Sequence, residues 1–155
     1  MTIVPIRGLF EAHLTVSDLE RSIAFYRDVL GLKLAHRIPA RQVAFFWVPA
    51  SDKAMLGLWS IGTSPLRMRL HIAFDVALPQ VFESVAALRR AGLTPRSGGA
   101  DGKPIDEPIV LSWMPAASVY FDDPDGHSLE FISMLDEPPR PDFGFVSWSE
   151  WRRQR

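Results

Sequence analysis

The length, composition and charge of the chain exclude several classes of protein. Its 155 residues, 47% hydrophobic and 23% charged, suffice for one globular domain with its own core. Seventeen basic against eighteen acidic residues give a net charge of −1, which offers no broad field for nucleic acid or an anionic membrane. The chain has no cysteine, which excludes disulfides, thiolate catalysis and thiolate-bound zinc. We therefore expect a single domain over residues 1–155 that binds a small molecule.

The N-terminal sequence gives no indication of export or membrane insertion. It lacks a basic segment followed by a long apolar run, and no apolar stretch reaches the roughly 18 residues of a membrane span. We expect a soluble, cytoplasmic protein.

The first half of the chain has the pattern of one strand, one helix and three further strands. Alternating residues predict a strand at 9–16. Ser17 and Glu20 have the spacing of a capping box, and apolar residues at helical spacing continue to Leu30, where Gly31 ends the helix. Three short apolar runs predict the remaining strands, at about 32–38, 42–48 and 54–61.

The second half repeats this order of elements. It is predicted to contain a strand at 69–76, a helix at 79–91 and strands at 94–97, 117–122 and 127–134. The residues Asp123–Gly126 form a predicted tight turn between the last two strands.

Three segments lie outside this repeat. Residues 62–65 are a predicted linker between the halves. Residues 96–115 are predicted to form a long loop, which is either a lid or binding loop or else a surface loop or partner-facing arm. The tail that begins at Asp136 contains Trp148 and Trp151, whose large apolar area predicts docking, either on the same domain or on a second subunit.

Potential metal ligands stand at corresponding ends of the two repeats. The residues from His13 are echoed by those from His71, and aligning the last strand of each half matches Gly57 with Glu130. Strand alternation places His13, His71 and Glu130 on the more polar face of their strands. The alternative is that His13 and His71 are ordinary semi-buried histidines and Glu130 is a solvated strand residue. His36 and His127 are predicted to be surface residues.

Two imidazoles and one carboxylate leave coordination positions open on a metal ion. This ligand set is typical of non-haem Fe(II) and is also compatible with Mn, Ni, Co or Zn. An open position allows the metal to bind water, dioxygen or a substrate oxygen. The pattern predicts a divalent metal as cofactor without deciding which.

Two segments of the chain resemble sequence motifs of the vicinal oxygen chelate superfamily, which includes glyoxalases, bleomycin-resistance proteins and extradiol dioxygenases. They are the segments His13–Gly31 and Ser118–Glu130. The resemblance implies an α+β fold with two βαβββ modules, at 8–61 and 69–134, whose curved sheets form a metal-binding cup. The tail, 135–155, lies outside the modules.

The resemblance also implies roles for individual residues. His13, His71 and Glu130 would hold the metal, and Glu130 and Tyr120 would be catalytic. The substrate pocket would be lined by Thr15, Trp59, Ser118 and Tyr120.

Two departures from family patterns limit what the resemblance implies about the reaction. Gly57 stands where glyoxalase I usually has a fourth ligand, a glutamate, and Val110 matches a lysine of the fosfomycin-modifying branch. The expected activity is that of a lyase or isomerase, a thiol transferase or a ring-cleaving dioxygenase on a small oxygen-bearing substrate. The alternative is a non-catalytic, ligand-sequestering protein of the bleomycin-resistance type. We expect a homodimer, since each module alone would leave sheet edges exposed.

Overall fold

The computed structural model describes residues 8–50, 53–60, 69–98 and 102–153. It divides the chain into two compact units, Met1–Met68 and Arg69–Arg155. The division falls between the two predicted modules, whereas the predicted linker at 62–65 lies outside the described residues. No helix in the described part of the chain is long and apolar enough to span a membrane.

The described residues of the first unit form an α-helix and a four-stranded sheet. Its elements are β1 (Glu11–Val16), α1 (Leu19–Ala24), β2 (Lys33–Ile38), β3 (Val43–Val48) and β4 (Ala54–Ser60). The strands lie in the order β1-β4-β3-β2, with β1 parallel to β4 and the other neighbours antiparallel. This order is a βαβββ module, as predicted.

The start of α1 differs from the predicted capping box. Asp18, not Ser17, is the N-cap, and its carboxylate accepts a hydrogen bond of 2.9 Å from the backbone N–H of Arg21. A carboxylate at this position also compensates the positive end of the helix dipole. The helix continues as a π-helical turn, Phe25–Val29, and ends before Gly31, whose φ of +71° favours glycine.

Strand β1 shows how alternation separates the core from the polar face. Leu14 and Val16 are each 1% exposed and belong to the core with Tyr26 and Leu58. His13 lies on the opposite face and is exposed. The prediction that the candidate ligand faces away from the core is confirmed for this strand.

The described residues of the second unit form a five-stranded sheet and two α-helices. Its elements are β5 (His71–Asp75), α2 (Leu78–Arg90), β6 (Ile109–Leu111), β7 (Ala116–Asp122), β8 (Ser128–Met134), β9 (Phe145–Ser147) and α3 (Trp148–Arg153). The strand order is β5-β8-β7-β6-β9, with β5 parallel to β8 and the other neighbours antiparallel. The first four strands and α2 repeat the βαβββ order.

The predicted strand at 94–97 is wrong. Arg96 makes only isolated bridges, to Tyr120 and Pro104. Pro95 has no N–H to donate to a ladder, which limits pairing there. The strand between α2 and β7 is instead β6, inside the segment predicted to be a loop, and its three apolar residues are buried.

The C-terminal tail docks on its own unit, which decides between the two predicted alternatives. Strand β9 pairs with β6, and Trp151 is fully buried against Val110 and Val146. The indole N–H of Trp151 donates to Glu137 Oε2 at 3.0 Å. The tail therefore extends the sheet and covers its edge.

His127 is buried rather than on the surface. Only 1% of it is exposed, and its Nδ1 accepts a hydrogen bond of 3.1 Å from the backbone N–H of Leu70. Its own backbone N–H donates to Asp123 Oδ1 at 2.8 Å. The residue fixes the start of β8 against the start of β5. His36, by contrast, is exposed as predicted.

Candidate metal centre

In the second unit, β5 and β8 bring His71 and Glu130 together. His71 Nε2 lies 3.2 Å from Glu130 Oε2. The His71 side chain is 48% exposed, whereas that of Glu130 is 3% exposed. The other carboxylate oxygen, Oε1, is buried and has no hydrogen-bond partner among the described residues. Burying a carboxylate is costly unless a cation or hydrogen-bond donors satisfy both oxygens, and Oε1 has no donor among the described residues.

The hydrogen bond on the far side of the His71 ring fixes which nitrogen carries the proton. Nδ1 lies 2.9 Å from the backbone carbonyl oxygen of Ser128, which can only accept, so Nδ1 is the donor. A neutral His71 therefore presents the Nε2 lone pair toward Glu130 Oε2. Two acceptors at 3.2 Å need a shared cation, either a proton on Nε2 or a metal ion.

Tyr120 lies beside this pair on β7. It stands opposite Glu130 in the strand register, and its ring stacks on that of His71 with 5.7 Å between centroids. Burial raises the pKa of the Tyr120 hydroxyl above its ordinary value. The charge of the Glu130 carboxylate and the hydrogen bond that the hydroxyl donates to it raise the pKa further, whereas the charge of Arg96 lowers it. The hydroxyl therefore stays protonated and is a hydrogen-bond donor at neutral pH.

Ser118 lies two residues before Tyr120, on the same face of β7. It is fully buried, and its Oγ has no hydrogen-bond partner among the described residues. Of the predicted substrate-binding residues, Ser118 and Tyr120 thus share a strand face with the His71–Glu130 pair.

A buried arginine at this face was missed by the sequence analysis. Arg96 is 7% exposed and donates to Asp122 Oδ1 at 2.7 Å and to Ser128 Oγ at 2.8 Å. Arg69 also donates to Asp122 Oδ1, at 2.6 Å. Burial raises the pKa of the Asp122 carboxyl, but the hydrogen bonds and charges of the two arginines outweigh burial and lower it. Arg96 also approaches the Tyr120 ring, with 5.8 Å from Cζ to the centroid.

In the first unit, His13 contacts a different set of side chains. The indole N–H of Trp59, on β4, donates to His13 Nδ1. His13 Nε2 lies 3.4 Å from Glu11 Oε1, and the His13 side chain is 42% exposed. The predicted pocket residue Thr15 stands opposite Trp59 in the register of β1 and β4.

The strand registers correct the predicted alignment of the repeats. His13 pairs with Gly57, and its counterpart His71 pairs with Ser128. Two residues further on, Thr15 pairs with Trp59 and Ala73 with Glu130. The counterpart of Glu130 is therefore Trp59, and that of Gly57 is Ser128. The predicted equivalence of Gly57 and Glu130 is wrong by two residues, a shift that keeps the same face of the strand.

The described residues contain no group of three or more histidine, aspartate or glutamate side chains gathered as a complete set of metal ligands. The close pair His71–Glu130 lies in the second unit, and His13 lies in the first.

Comparison with known proteins identifies the family. Residues 8–131 match the profile of the Glyoxalase/Bleomycin resistance protein/Dioxygenase superfamily. The chain belongs to this superfamily. A curated member, the metallothiol transferase FosB of Lysinibacillus sphaericus (strain C3-41), is 32% identical over 135 residues, which cover 84% of this chain and 83% of FosB.

Solved structures agree with the α+β fold. An integron cassette protein, HFX_CASS4, from the Halifax Harbour sewage outfall metagenome is 30% identical, with a TM-score of 0.69 over 83% of this chain and 100% of the other. Lactoylglutathione lyase from Agrobacterium tumefaciens is 23% identical, with a TM-score of 0.64 and coverage of 84% and 96%. FosX from Mesorhizobium loti is 20% identical, with a TM-score of 0.57 and coverage of 85% and 96%. The last two likenesses show the fold alone.

Proposed function

We propose that the chain is a metal-dependent enzyme of this superfamily, in which His13, His71 and Glu130 hold one divalent ion. The observation that carries the proposal is the contact of 3.2 Å between the acceptor nitrogen of His71 and a carboxylate oxygen of buried Glu130. Both groups are ordinary ligands of Fe, Mn, Ni, Co and Zn ions. His13 completes the set from the first unit, either of the same chain or of a second one.

The donor set fits an ion that keeps coordination positions for substrate. Two imidazoles and a carboxylate leave room for two adjacent substrate oxygens, and the bound metal would stabilise negative charge that develops on them. The Ser128 carbonyl orients the His71 ring by accepting from Nδ1.

Tyr120 and Ser118 would act on the substrate directly. The Tyr120 hydroxyl is kept protonated by burial and by its hydrogen bond to Glu130, and it would donate to a substrate oxygen in place of that carboxylate. Ser118 Oγ, buried without a partner among the described residues, offers a second polar contact on the same face. Thr15 and Trp59, in the first unit, are the other residues that we propose for substrate binding.

Thiol addition is the reaction to test first, because the curated relative at 32% identity is a metallothiol transferase. The fosfomycin-modifying branch, however, carries a lysine where this chain has Val110, which is fully buried against Trp151. We therefore propose a small substrate with adjacent oxygens without assigning it to fosfomycin, and isomerisation and ring cleavage are tested beside thiol addition.

Metal analysis of tag-free protein tests the site. We expect wild type to bind about one divalent ion per chain, and His71→Ala and Glu130→Gln to lose most of this binding. His36→Ala is the matched control, because His36 is an exposed histidine on β2 of the first unit. Retention of metal by both site variants at the wild-type level would overturn the proposal. A metal-loaded protein that binds ligands but turns none over would favour the sequestering alternative.

A further inference from the structure

Both ring nitrogens of His13 are already engaged in the first unit. Nδ1 accepts the indole N–H of Trp59, and Nε2 lies 3.4 Å from Glu11 Oε1. The Trp59 ring tilts against the imidazole, with 5.8 Å between centroids. The position of His13 is thus set by a donor on β4 and an acceptor on its own strand.

The chemistry of the indole group fixes the tautomer of His13. An indole N–H can only donate, so Nδ1 must be the acceptor and a neutral His13 carries its proton on Nε2. That proton points toward the Glu11 carboxylate, which can only accept when ionised. Neither nitrogen presents an uncommitted lone pair.

His71 has the opposite arrangement. Its Nδ1 donates to the Ser128 carbonyl, which leaves the Nε2 lone pair toward Glu130. In the strand register, Trp59 of the first unit occupies the position that Glu130 has in the second. The first unit thus has a hydrogen-bond donor where the second has an acceptor. The two units therefore hold their histidines in opposite tautomers.

We propose that Trp59 competes with the metal ion for His13, so that metal binding breaks the indole–imidazole hydrogen bond. This inference rests on the proposed function. If the metal binds Nε2, the proton moves to Nδ1, where it opposes the indole N–H. If the metal binds Nδ1, it takes the lone pair that the indole uses. On either route the Trp59 N–H loses its acceptor on His13.

Zinc titration of the full chain, followed by NMR of the indole N–H groups, tests the proposal. We expect one indole resonance, identified as Trp59 by its absence in Trp59→Phe, to move on metal binding. Zinc affinity should rise about two- to tenfold in Trp59→Phe, because binding no longer breaks a hydrogen bond. Trp113→Phe is the matched control, since Trp113 is 57% exposed and lies in the turn before β7.

The outcomes separate this inference from the proposed function. If zinc binds through His71 and Glu130 while the Trp59 resonance stays unmoved, the competition does not exist. An unchanged or weaker zinc affinity in folded Trp59→Phe would also overturn it. If wild type binds no zinc at all, the proposed function fails as well. If Trp59→Phe does not fold, sequence-specific assignment of the wild-type spectrum identifies the Trp59 indole resonance and keeps the inference testable.

Discussion

The imidazole ring of His13 lies against Gly57, its partner in the register of β1 and β4. A Cβ at position 57 would stand 2.6 Å from His13 Nδ1 and 2.8 Å from Cε1. These distances are below van der Waals contact, so any side chain there displaces the ring. Gly57 therefore provides the space that His13 occupies and is not the site of a lost ligand.

We predict that Gly57→Ala weakens metal binding about tenfold or more, because the methyl group displaces the whole His13 ring, which outweighs the gain from breaking its hydrogen bond to Trp59. The measurement is zinc affinity by calorimetry, beside thermal unfolding to show that the variant remains folded. An affinity equal to that of wild type would mean that the orientation of His13 does not matter.

A second prediction follows from the register, which makes Trp59 the counterpart of Glu130. We expect Trp59→Glu to tighten metal binding more than Trp59→Phe does, because it adds a carboxylate next to His13 and also removes the competing N–H. Trp59→Gln is the matched control without charge. Gly57→Glu should not tighten binding, since its side chain collides with His13. Tightening by Gly57→Glu alone would contradict the observed register.

The raised pKa of Tyr120 predicts an effect at alkaline pH. A tyrosine whose folded pKa lies above its unfolded value of about 10 contributes stability that is present below pH 10 and lost as the pH rises further. Between pH 9 and pH 11, about one unit on either side of the unfolded tyrosine pKa of about 10, the free energy of unfolding should therefore fall less in Tyr120→Phe than in wild type. Urea unfolding across this range measures it. Parallel slopes for variant and wild type would show that the hydroxyl titrates normally.

Trp151 should make a large contribution to the stability of the second unit. The side chain is fully buried with Val110 and Val146, and its N–H is satisfied by Glu137. We predict that Trp151→Ala lowers the free energy of unfolding by about 3–5 kcal/mol. Trp113→Ala, which removes an exposed indole, should change it by about 0.5 kcal/mol or less. Equal effects of the two substitutions in urea unfolding would show that the tail does not stabilise the unit.

We also predict a homodimer. The second unit leaves Trp113, Met134 and Phe145 exposed at 57%, 60% and 61%, an apolar surface that association would cover. Light scattering should give twice the chain mass of 17.4 kDa. A monomer mass in light scattering at working concentration would contradict this prediction.

Mixing His13→Ala with Glu130→Ala chains then shows how the site is assembled. If His13 comes from one chain and the His71–Glu130 pair from the other, a mixed dimer regains one intact metal site. If each chain supplies all three ligands, no mixed dimer binds metal at a complete site.

Most of the fold was predictable from local patterns. Alternation along β1 and β5 and helical spacing along α2 place apolar residues on one face, and that preference belongs to the segment itself. The strand β6 was missed because its three apolar residues carry too little periodicity, and their pairing with β7 and β9 is what makes them a strand. The helix α1 is capped by Asp18 rather than Ser17. Both side chains can cap a helix, so the sequence does not distinguish them, and the backbone conformation decides which one does.

The sequence by itself determined which residue types can bind a metal and which face of each strand carries them. Only the tertiary structure decided that His71 meets buried Glu130 and that His13 meets the Trp59 indole. His13 and Trp59 are 46 residues apart, and His71 and Ser128 are 57 apart. A shift of two residues in strand pairing leaves each side chain on the same face of the sheet but changes its neighbour on the adjacent strand. The face can therefore be read from the local sequence, whereas the neighbour cannot. The tautomer of each histidine depends on that partner, because a carbonyl oxygen can only accept and an indole N–H can only donate.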